Sequence, residues 1–262
     1  MDPWLLAVSA VAIVMFMTLI WVLSVAVRNA SIVDVFWGPG FILVAFLGTF
    51  LASGDVIRRV LVLGMVLTWG CRLSGHIGWR NRGKPEDFRY RRFRANAGSS
   101  FWWRSYFTVF LLQGCVMWVV ALPLLVAQDA SYPSFITGWD IVAVVTWVTG
   151  FVFEAGGDLQ LMRFKSNPDN QGRVLRSGFW GLTRHPNYFG EALVWWGFGF
   201  LALSVGGWWS LISPIVMTVF LVRVSGVVML ERALIDSKPE YRAYVEETPA
   251  FFPRILSWRR FR

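Results

Sequence analysis

The chain has 262 residues, 56% of them hydrophobic, with 16 Trp and 22 Phe. This composition excludes an ordinary soluble domain and is typical of a membrane protein. The net charge is +9, and the chain has only two Cys and two His. Such small numbers exclude a His-rich iron site and a two-His metalloprotease, so we predict no metal.

Seven apolar stretches are long enough to predict transmembrane helices. They cover approximately residues 4–27, 34–53, 57–79, 102–127, 137–160, 188–206 and 208–231. The first stretch is longer than a signal peptide core and lacks a small-residue cleavage site, so we expect it to be retained. The sequence predicts an all-α integral membrane fold, a seven-transmembrane helix bundle forming one membrane domain over residues 1–262. Helices 1–4 fall in residues 1–135, and helices 5–7 with a cytoplasmic tail fall in 136–262.

The basic residues are concentrated in alternate loops. One set of loops holds most Arg and Lys, including the tail that ends at residues 259–262, whereas the opposite set holds only Arg58 and Arg59. The positive-inside rule therefore places the N-terminus outside and the C-terminus in the cytoplasm. Attraction to anionic membrane lipids accounts for this basicity, so no nucleic-acid partner is required.

Ionisable residues inside apolar helices mark candidate functional sites, because a charge near mid-bilayer is costly. The spacing groups them into stripes, each on one helix face. The eight residues within or at the edge of the predicted spans are Asp34, Arg72, His76, Glu154, Asp158, Glu191, Arg223 and Glu231. By the predicted topology every stripe lies toward the cytoplasmic half, which favours one cytoplasm-facing cavity. Separate local ion pairs are the alternative.

Residues 183–191 (TRHPNYFGE) combine a cation, an imidazole, an amide, a phenol and a carboxylate at the start of an apolar helix. If that helix begins near Arg184, then Arg184, Asn187, Tyr188 and Glu191 share one face. Such a face usually lines an aqueous or ligand-filled cavity. The alternative is a helix end at which the polar side chains only reach the headgroups.

The mixture of acids and bases suits a dinucleotide, since phosphates bind Arg and Lys while ribose and carboxamide bind carboxylates, Asn and Tyr. The sequence has neither the G-x-G-x-x-G nor the P-loop motif. Residues 80–90 form a polar, turn-prone run that either contributes to this site or binds headgroups. Trp180 either stacks on adenine or belongs to an aromatic belt.

Residues 184–191, the end of the fifth helix from Asp158 to Lys165, and the tail from Glu231 to Tyr244 resemble the steroid 5-alpha-reductase superfamily, specifically a bacterial branch of its C-terminal domain. The resemblance extends over about residues 150–254 and is weak over 1–100. It implies a helical membrane bundle that holds NADPH in a cytoplasm-facing cavity, and a location in the bacterial inner membrane. It also makes helices 1–4 the substrate side.

The resemblance implies cofactor roles at matching positions, together with neighbouring polar residues. The predicted cofactor-binding residues are Arg80, Asn81, Arg82, Glu154, Asp158, Lys165, Trp180, Arg184, His185, Asn187, Tyr188, Glu191, Arg223 and Glu231. Two features depart from the steroid enzymes: Ile77 follows His76 where they have a ketone-polarising Tyr, and their second-helix Gln-Glu pair is absent. Glu231 also stands where they use a tyrosine.

These patterns predict an NADPH-dependent reduction of an activated carbon–carbon double bond in a membrane-soluble lipid, such as a 3-oxo-steroid or a related isoprenoid. The predicted catalytic residues are Asp34, His76 and Tyr188, as candidate donors to the substrate carbonyl. One alternative is an S-adenosylmethionine-dependent membrane methyltransferase of the isoprenylcysteine or phospholipid type, which shares an Arg-His-Pro-x-Tyr element. Another is a transporter or lipid-binding protein, which would show broken helices and polar residues along the whole path.

Overall fold

The computed structural model describes residues 1–224, Glu231 and residues 240–254. Within these residues the secondary structure is entirely helical. Five helical stretches are long and apolar enough to cross a membrane: Pro3–Ala26, Ala30–Leu51, Val56–Asn81, Phe88–Asp129 and Gly138–Ser166. An all-α, multi-pass membrane fold is therefore confirmed, while the count of seven spans stays a prediction.

The chain divides into two compact units. Unit 1 comprises Met1–Thr137 and Leu201–Ser213, and unit 2 comprises Gly138–Phe200 and Pro214–Arg262. The predicted basic tail at 259–262, and residues 225–230 of the predicted seventh span, lie outside the described residues.

Unit 1 begins with three long helices: α1 (Pro3–Ala26), α2 (Trp37–Leu51) and α3 (Val56–Asn81). A 3₁₀ segment, Ala30–Phe36, leads into α2. The side chains of Asp2 and Asp55 accept hydrogen bonds from backbone N–H groups at the starts of α1 and α3, which satisfies donors that the helices leave unpaired. The helix starts are thus specified by local sequence.

The next helical stretch is longer than the predicted fourth span of 102–127. It contains α4 (Phe88–Ala97), α5 (Phe101–Ser105), a π-helical turn (Tyr106–Leu111) and α6 (Leu112–Asp129). The predicted polar loop at 80–90 is accordingly shorter, because Asp87 accepts a hydrogen bond from the backbone N–H of Arg89 and starts α4 there.

Unit 2 contains α7 (Gly138–Ser166), α8 (Phe179–Leu182) and most of α9 (Pro186–Leu203). Past α9, a 3₁₀ turn (Trp208–Leu211) leads to α10 (Ile212–Val219) and a π-helical turn (Phe220–Val224), and the tail carries α11 (Glu240–Glu247). The continuation of α7 to Ser166 keeps Glu154, Asp158 and Lys165 on one helix, as predicted.

Glycines allow α7 and α9 to approach each other at backbone contact. A Cβ built on Gly150 would lie 2.6 Å from both the carbonyl oxygen of Gly190 and the backbone nitrogen of Val194. A Cβ on Gly197 would lie 2.9 Å from the carbonyl oxygen of Ala143. Small residues at such crossings are typical of membrane helix pairs, and here they hold the start of α9 against α7.

Candidate functional site

The motif at 183–191 begins in a turn, not in a helix. The helix α9 begins at Pro186, so Arg184 and His185 precede it and the predicted single face from Arg184 onward is wrong at its first position. Proline favours the first turn of a helix and disfavours helical geometry in the residue before it. Arg184 and His185 are both buried in this turn, at 7% and 1% exposure.

The Arg184 guanidinium binds protein groups through all three of its nitrogens. Nε donates to Oε1 of Glu231 at 2.7 Å and Nη2 donates to Oε2 at 3.1 Å, a paired fork on one carboxylate. Nη1 donates to the carbonyl oxygens of Val245, at 2.8 Å, and of Thr248. A buried ion pair is stable only when its remaining donors are satisfied, and here the tail carbonyls satisfy them.

The same turn also binds the backbone carbonyl groups of the tail. The N–H of Arg184 donates to the carbonyl of Pro249 at 2.9 Å, and the Thr183 hydroxyl donates to the carbonyls of Ala250 and Phe251 at 3.1 and 3.0 Å. The tail after α11 is thus fixed on the motif.

His185 joins the same carboxylate. Its Nε2 lies 3.1 Å from Oε1 of Glu231, and its ring stacks on Tyr188 with centroids 5.6 Å apart and planes 5° apart. Its Nδ1 is buried and has no hydrogen-bond partner among the described residues. A buried polar atom of this kind usually has a partner, so Nδ1 is a candidate ligand contact.

A second polar contact links α7 to α9. The amide nitrogen of Asn187 donates to Oδ1 of Asp158 at 3.1 Å, and Asp158 is buried. Glu154, one turn earlier on α7, is 2% exposed, while Glu191 on α9 is half-buried. The two acidic residues predicted on α7, Glu154 and Asp158, therefore lie beside α9 in unit 2.

A cavity of about 530 Å³ opens next to the buried Arg184 and His185. Its volume lies within the range of small-molecule sites, roughly 300–1,000 Å³. Four of the predicted cofactor residues line it: Lys165, Trp180, Arg184 and His185. Lining residues that the sequence analysis missed include Arg173, Tyr241 and Tyr244. The i, i+3 spacing of the two tyrosines on the tail helix was a signal for a shared face.

The tail tyrosines remain neutral at physiological pH. Burial and the nearby Glu231 carboxylate raise the pKa of Tyr241 to about 12, against a smaller opposing effect of Arg184. Burial is the largest cause that raises the pKa of Tyr244, and the electrostatic effect of the nearby Tyr241 is the second. The Tyr244 hydroxyl donates to the carbonyl of Trp180. The cavity wall on this side is therefore aromatic and uncharged.

Trp180 has a structural contact besides its place in the cavity wall. Its indole N–H donates to the carbonyl of Gly157 at 3.0 Å, and its ring is 9% exposed. These contacts place the ring against α7 but do not set its depth in a bilayer, so the aromatic-belt interpretation stays a prediction. Adenine stacking stays a prediction.

In unit 1, Asp34 belongs to a polar network that crosses several helices. Its Oδ2 accepts from Arg89 at 2.8 Å and its Oδ1 accepts from the Tyr90 hydroxyl at 2.7 Å. The Tyr90 hydroxyl also accepts from the Gln113 amide at 3.2 Å, and Gln113 in turn accepts from the Trp37 indole at 2.5 Å. The sequence did not predict Arg89, Tyr90 and Gln113 as members of the Asp34 network, because separations of 55 to 79 residues from Asp34 carry no periodic signal.

Replacing Tyr90 by Phe tests whether this network stabilises unit 1. Tyr90 is 4% exposed, and its loss leaves Asp34 and Gln113 each without one hydrogen bond. We expect the free energy of unfolding to fall by about 1–3 kcal/mol, the effect of an unsatisfied buried polar group. Tyr132→Phe is the control, because Tyr132 is 78% exposed. Equal melting temperatures for the two variants in detergent would contradict this expectation.

The other predicted residues lie at these positions. His76 is half-buried on α3, Arg80 and Arg82 are exposed, and the Arg80 Nε donates to the Asn81 amide oxygen at 3.3 Å. Arg223, in unit 2, is exposed. A single cavity shared by the residues of both units stays a prediction, as does its cytoplasmic side.

The chain is similar in sequence to several known proteins. An uncharacterized protein of Schizosaccharomyces pombe is 27% identical over 270 residues, which cover 90% of this chain and 76% of that protein. A Delta(14)-sterol reductase of Ascobolus immersus is 27% identical over 58% of this chain and 36% of its own length. The steroid 5-alpha-reductase DET2 of Arabidopsis thaliana is 31% identical over 26% of each chain.

The other similarities are more limited. A probable O-methyltransferase, ustE, of Ustilaginoidea virens is 38% identical over 80 residues, which are 30% of this chain and 25% of that protein. The chain thus spans about a third of the sterol reductase and about a quarter of the steroid reductase and the methyltransferase. No solved structure matches the chain.

The predicted relation to the steroid 5-alpha-reductase superfamily is confirmed by the two reductase matches. A family model described as a protein of unknown function, DUF1295, matches residues 20–248. Because this match covers well over half of the chain, the protein belongs to the DUF1295 family.

Proposed function

We propose that this protein is a membrane oxidoreductase that uses NADPH to reduce an activated carbon–carbon double bond in a membrane-soluble lipid. The observation that carries the proposal is the 530 Å³ cavity beside the buried Arg184–Glu231–His185 group. The similarity to a sterol reductase and a steroid reductase supports the same class of reaction. A 3-oxo-steroid or a related isoprenoid is the proposed kind of substrate.

The residues around the cavity fit a phosphorylated dinucleotide. Lys165 and Arg173 supply cations for phosphate groups, and Trp180, Tyr241 and Tyr244 supply rings for a base. The buried Nδ1 of His185 supplies a polar contact for the ligand. In a neutral ring, a proton on Nε2 is donated to Glu231, which leaves Nδ1 as an acceptor for an amide or hydroxyl of the ligand.

Arg184 has a positioning role in this proposal. Its fork is occupied by Glu231 and by the tail carbonyls, so its first function is to hold the tail tyrosines at the cavity. Glu231 stands where the steroid enzymes have a tyrosine, and it serves here as the common partner of Arg184 and His185. Lys165 and Arg173, which also line the cavity, then make the phosphate contacts.

When bound, NADPH supplies the hydride, and the protein supplies a dry site and a donor to the substrate carbonyl. Tyr188, in the same unit as the cavity, is the proposed donor, while Asp34 and His76 in unit 1 stay predicted donors. The predicted topology, with the N-terminus outside and the C-terminus cytoplasmic in a bacterial inner membrane, gives the cavity access to cytosolic cofactor.

Replacing Lys165 by Ala tests the cofactor site. We expect the Kd of NADPH to rise about tenfold, the effect of losing one charge-assisted contact worth about 1.4 kcal/mol. The measurement is quenching of Trp fluorescence by NADPH on the purified protein. Arg163→Ala is the matched control, because Arg163 is an exposed cation on the same helix that does not line the cavity.

Turnover is measured separately, as oxidation of NADPH with a panel of lipid enones. Protein that is folded but neither binds NADPH nor NADH nor turns over any enone would refute the proposal. Binding of NADPH with unchanged affinity in Lys165→Ala would refute this cavity as its site.

An alternative function is an S-adenosylmethionine-dependent methyl transfer, favoured by the short match to a probable O-methyltransferase. A thermal-shift comparison separates the two. Stabilisation by S-adenosylmethionine, with no response to NADPH, would favour the methyltransferase.

A further inference from the structure

A second cavity, of about 240 Å³, lies in unit 1, and its lining shares no residue with the first cavity. It is formed by the end of α1, the turn that follows, α4 and α5, and two arginines lie in its wall. The lining residues are Ser24, Val25, Arg28, Ala30, Arg94, Phe101, Trp102 and Ser105.

Arg94 is fixed in this wall by three hydrogen bonds and one ring contact. Its Nε and Nη2 donate to the Glu86 carboxylate at 3.0 and 2.9 Å, and Nη2 also donates to the carbonyl of Arg28 at 3.3 Å. Its guanidinium carbon lies 4.4 Å from the centroid of the Phe101 ring. These contacts leave Nη1 without a hydrogen-bond partner among the described residues, on a side chain that is already ordered.

Glu86 neutralises only one of the two cations. Burial opposes ionisation of Glu86, but hydrogen bonds from Arg94 and from the N–H of Ala30 outweigh it and lower the pKa of this carboxyl. The Arg28 guanidinium has no ion pair or hydrogen bond within the described part of the chain. The cavity therefore has one uncompensated positive charge.

The surface outside the cavity is apolar and continuous with the membrane-spanning helix α1. Val22 and Val25 are exposed on the last turns of α1, and Trp102 on α5 is 57% exposed. The Trp21 indole donates to the carbonyl of Trp102 at 2.9 Å, which joins α1 to α5 at this level. Tryptophan and arginine at the end of an apolar span mark the headgroup region of a bilayer.

We propose that this cavity, the Arg28–Arg94 site, binds the phosphate of an anionic phospholipid whose acyl chains lie along the outer face of α1. The two guanidiniums match a phosphate by charge and by donor geometry, and the neighbouring valines match the chains. A soluble phosphate would satisfy the cations but would leave the apolar surface beside them uncovered.

The test uses the full chain in detergent and native mass spectrometry, with phosphatidylglycerol, phosphatidylcholine or inorganic phosphate added. We expect one phosphatidylglycerol to be retained in preference to phosphatidylcholine. Arg28→Asn should lower the apparent affinity for phosphatidylglycerol about tenfold. Arg28 has a φ of 53°, and Asn adopts this left-handed conformation more readily than most residues, so this variant removes the charge without forcing the backbone to move.

Two further variants separate a local site from general attraction of the basic surface. Arg92→Gln removes an equal charge from α4 outside the cavity and should leave retention unchanged. Arg28→Lys keeps the charge and should retain most of the binding. An equal loss in Arg92→Gln, equal retention of phosphatidylcholine, or displacement of the lipid by millimolar inorganic phosphate would each overturn the proposal.

Discussion

Replacing Arg184 by Met should lower the free energy of unfolding by about 3–5 kcal/mol, the usual effect of breaking a buried ion pair. The substitution leaves Glu231 with His185 as its only other described partner. It also removes the donor of the Val245 and Thr248 carbonyls. The measurement is thermal and chemical unfolding followed by Trp fluorescence, together with the rate of proteolysis in the tail.

The matched control for Arg184 is Arg176→Met. Arg176 also binds an acidic side chain and a tail carbonyl, Glu247 at 3.8 Å and Glu240 at 2.5 Å, but it is exposed. Exposed pairs contribute up to about 1 kcal/mol, so this variant should be nearly as stable as the parent protein. Comparable losses in the two variants would show that burial is not what makes the Arg184 contact strong.

A double variant tests the pair itself. Arg184→Met combined with Glu231→Gln removes both charges, so it should be less destabilised than the sum of the single variants. The interaction should be favourable by about 1–3 kcal/mol in the double-mutant cycle. Strict additivity would mean that the two side chains contribute independently.

Replacing Gly150 by Ala should destabilise the protein by about 2 kcal/mol. The new Cβ would lie 2.6 Å from two backbone atoms of α9, which cannot rotate away as a flexible side chain could. Overpacking of this kind costs up to about 3 kcal/mol, and the better helix propensity of Ala offsets about 1 kcal/mol of that. Unfolding in detergent and the yield of monodisperse protein measure the effect.

Gly64→Ala is the control for this crossing. A Cβ on Gly64, in the middle of α3, meets nothing within 4 Å, so the variant should gain up to about 1 kcal/mol from helix propensity. A neutral Gly150→Ala would mean that α7 and α9 can separate without loss, and that their contact does not fix the start of α9.

The motif residues were predictable because each is encoded in a short stretch. Asn187 and Asp158 belong to recognisable helix positions, although α9 begins at Pro186, two residues after the expected start near Arg184. The partners of Arg184 were not predictable in the same way. The carbonyls of Val245 and Thr248 carry no side-chain signal, and they lie 61 and 64 residues away along the chain.

The same difference separates Asp34 from its network. An acid in an apolar stretch is visible in the sequence as an unusual residue. Its partners Arg89 and Tyr90 lie in a segment whose sequence predicts a polar loop. They reach Asp34 only because α4 begins at Phe88. The role predicted for Asp34 as a donor is still to be tested, whereas its contacts are those of an acceptor.

Hydrophobicity, charge asymmetry and the motif at 183–191 determined by themselves that this is a helical membrane protein related to sterol reductases. These properties depend on composition and on spacings of a few residues, and both are present in the sequence before any tertiary contact forms. The tertiary structure alone decided that Arg184 holds the tail, that Tyr241 and Tyr244 line the cavity with Lys165, and that Arg28 and Arg94 meet at a second cavity. Such contacts join segments that are far apart in sequence. They depend on the close packing of side chains, which no local sequence pattern encodes.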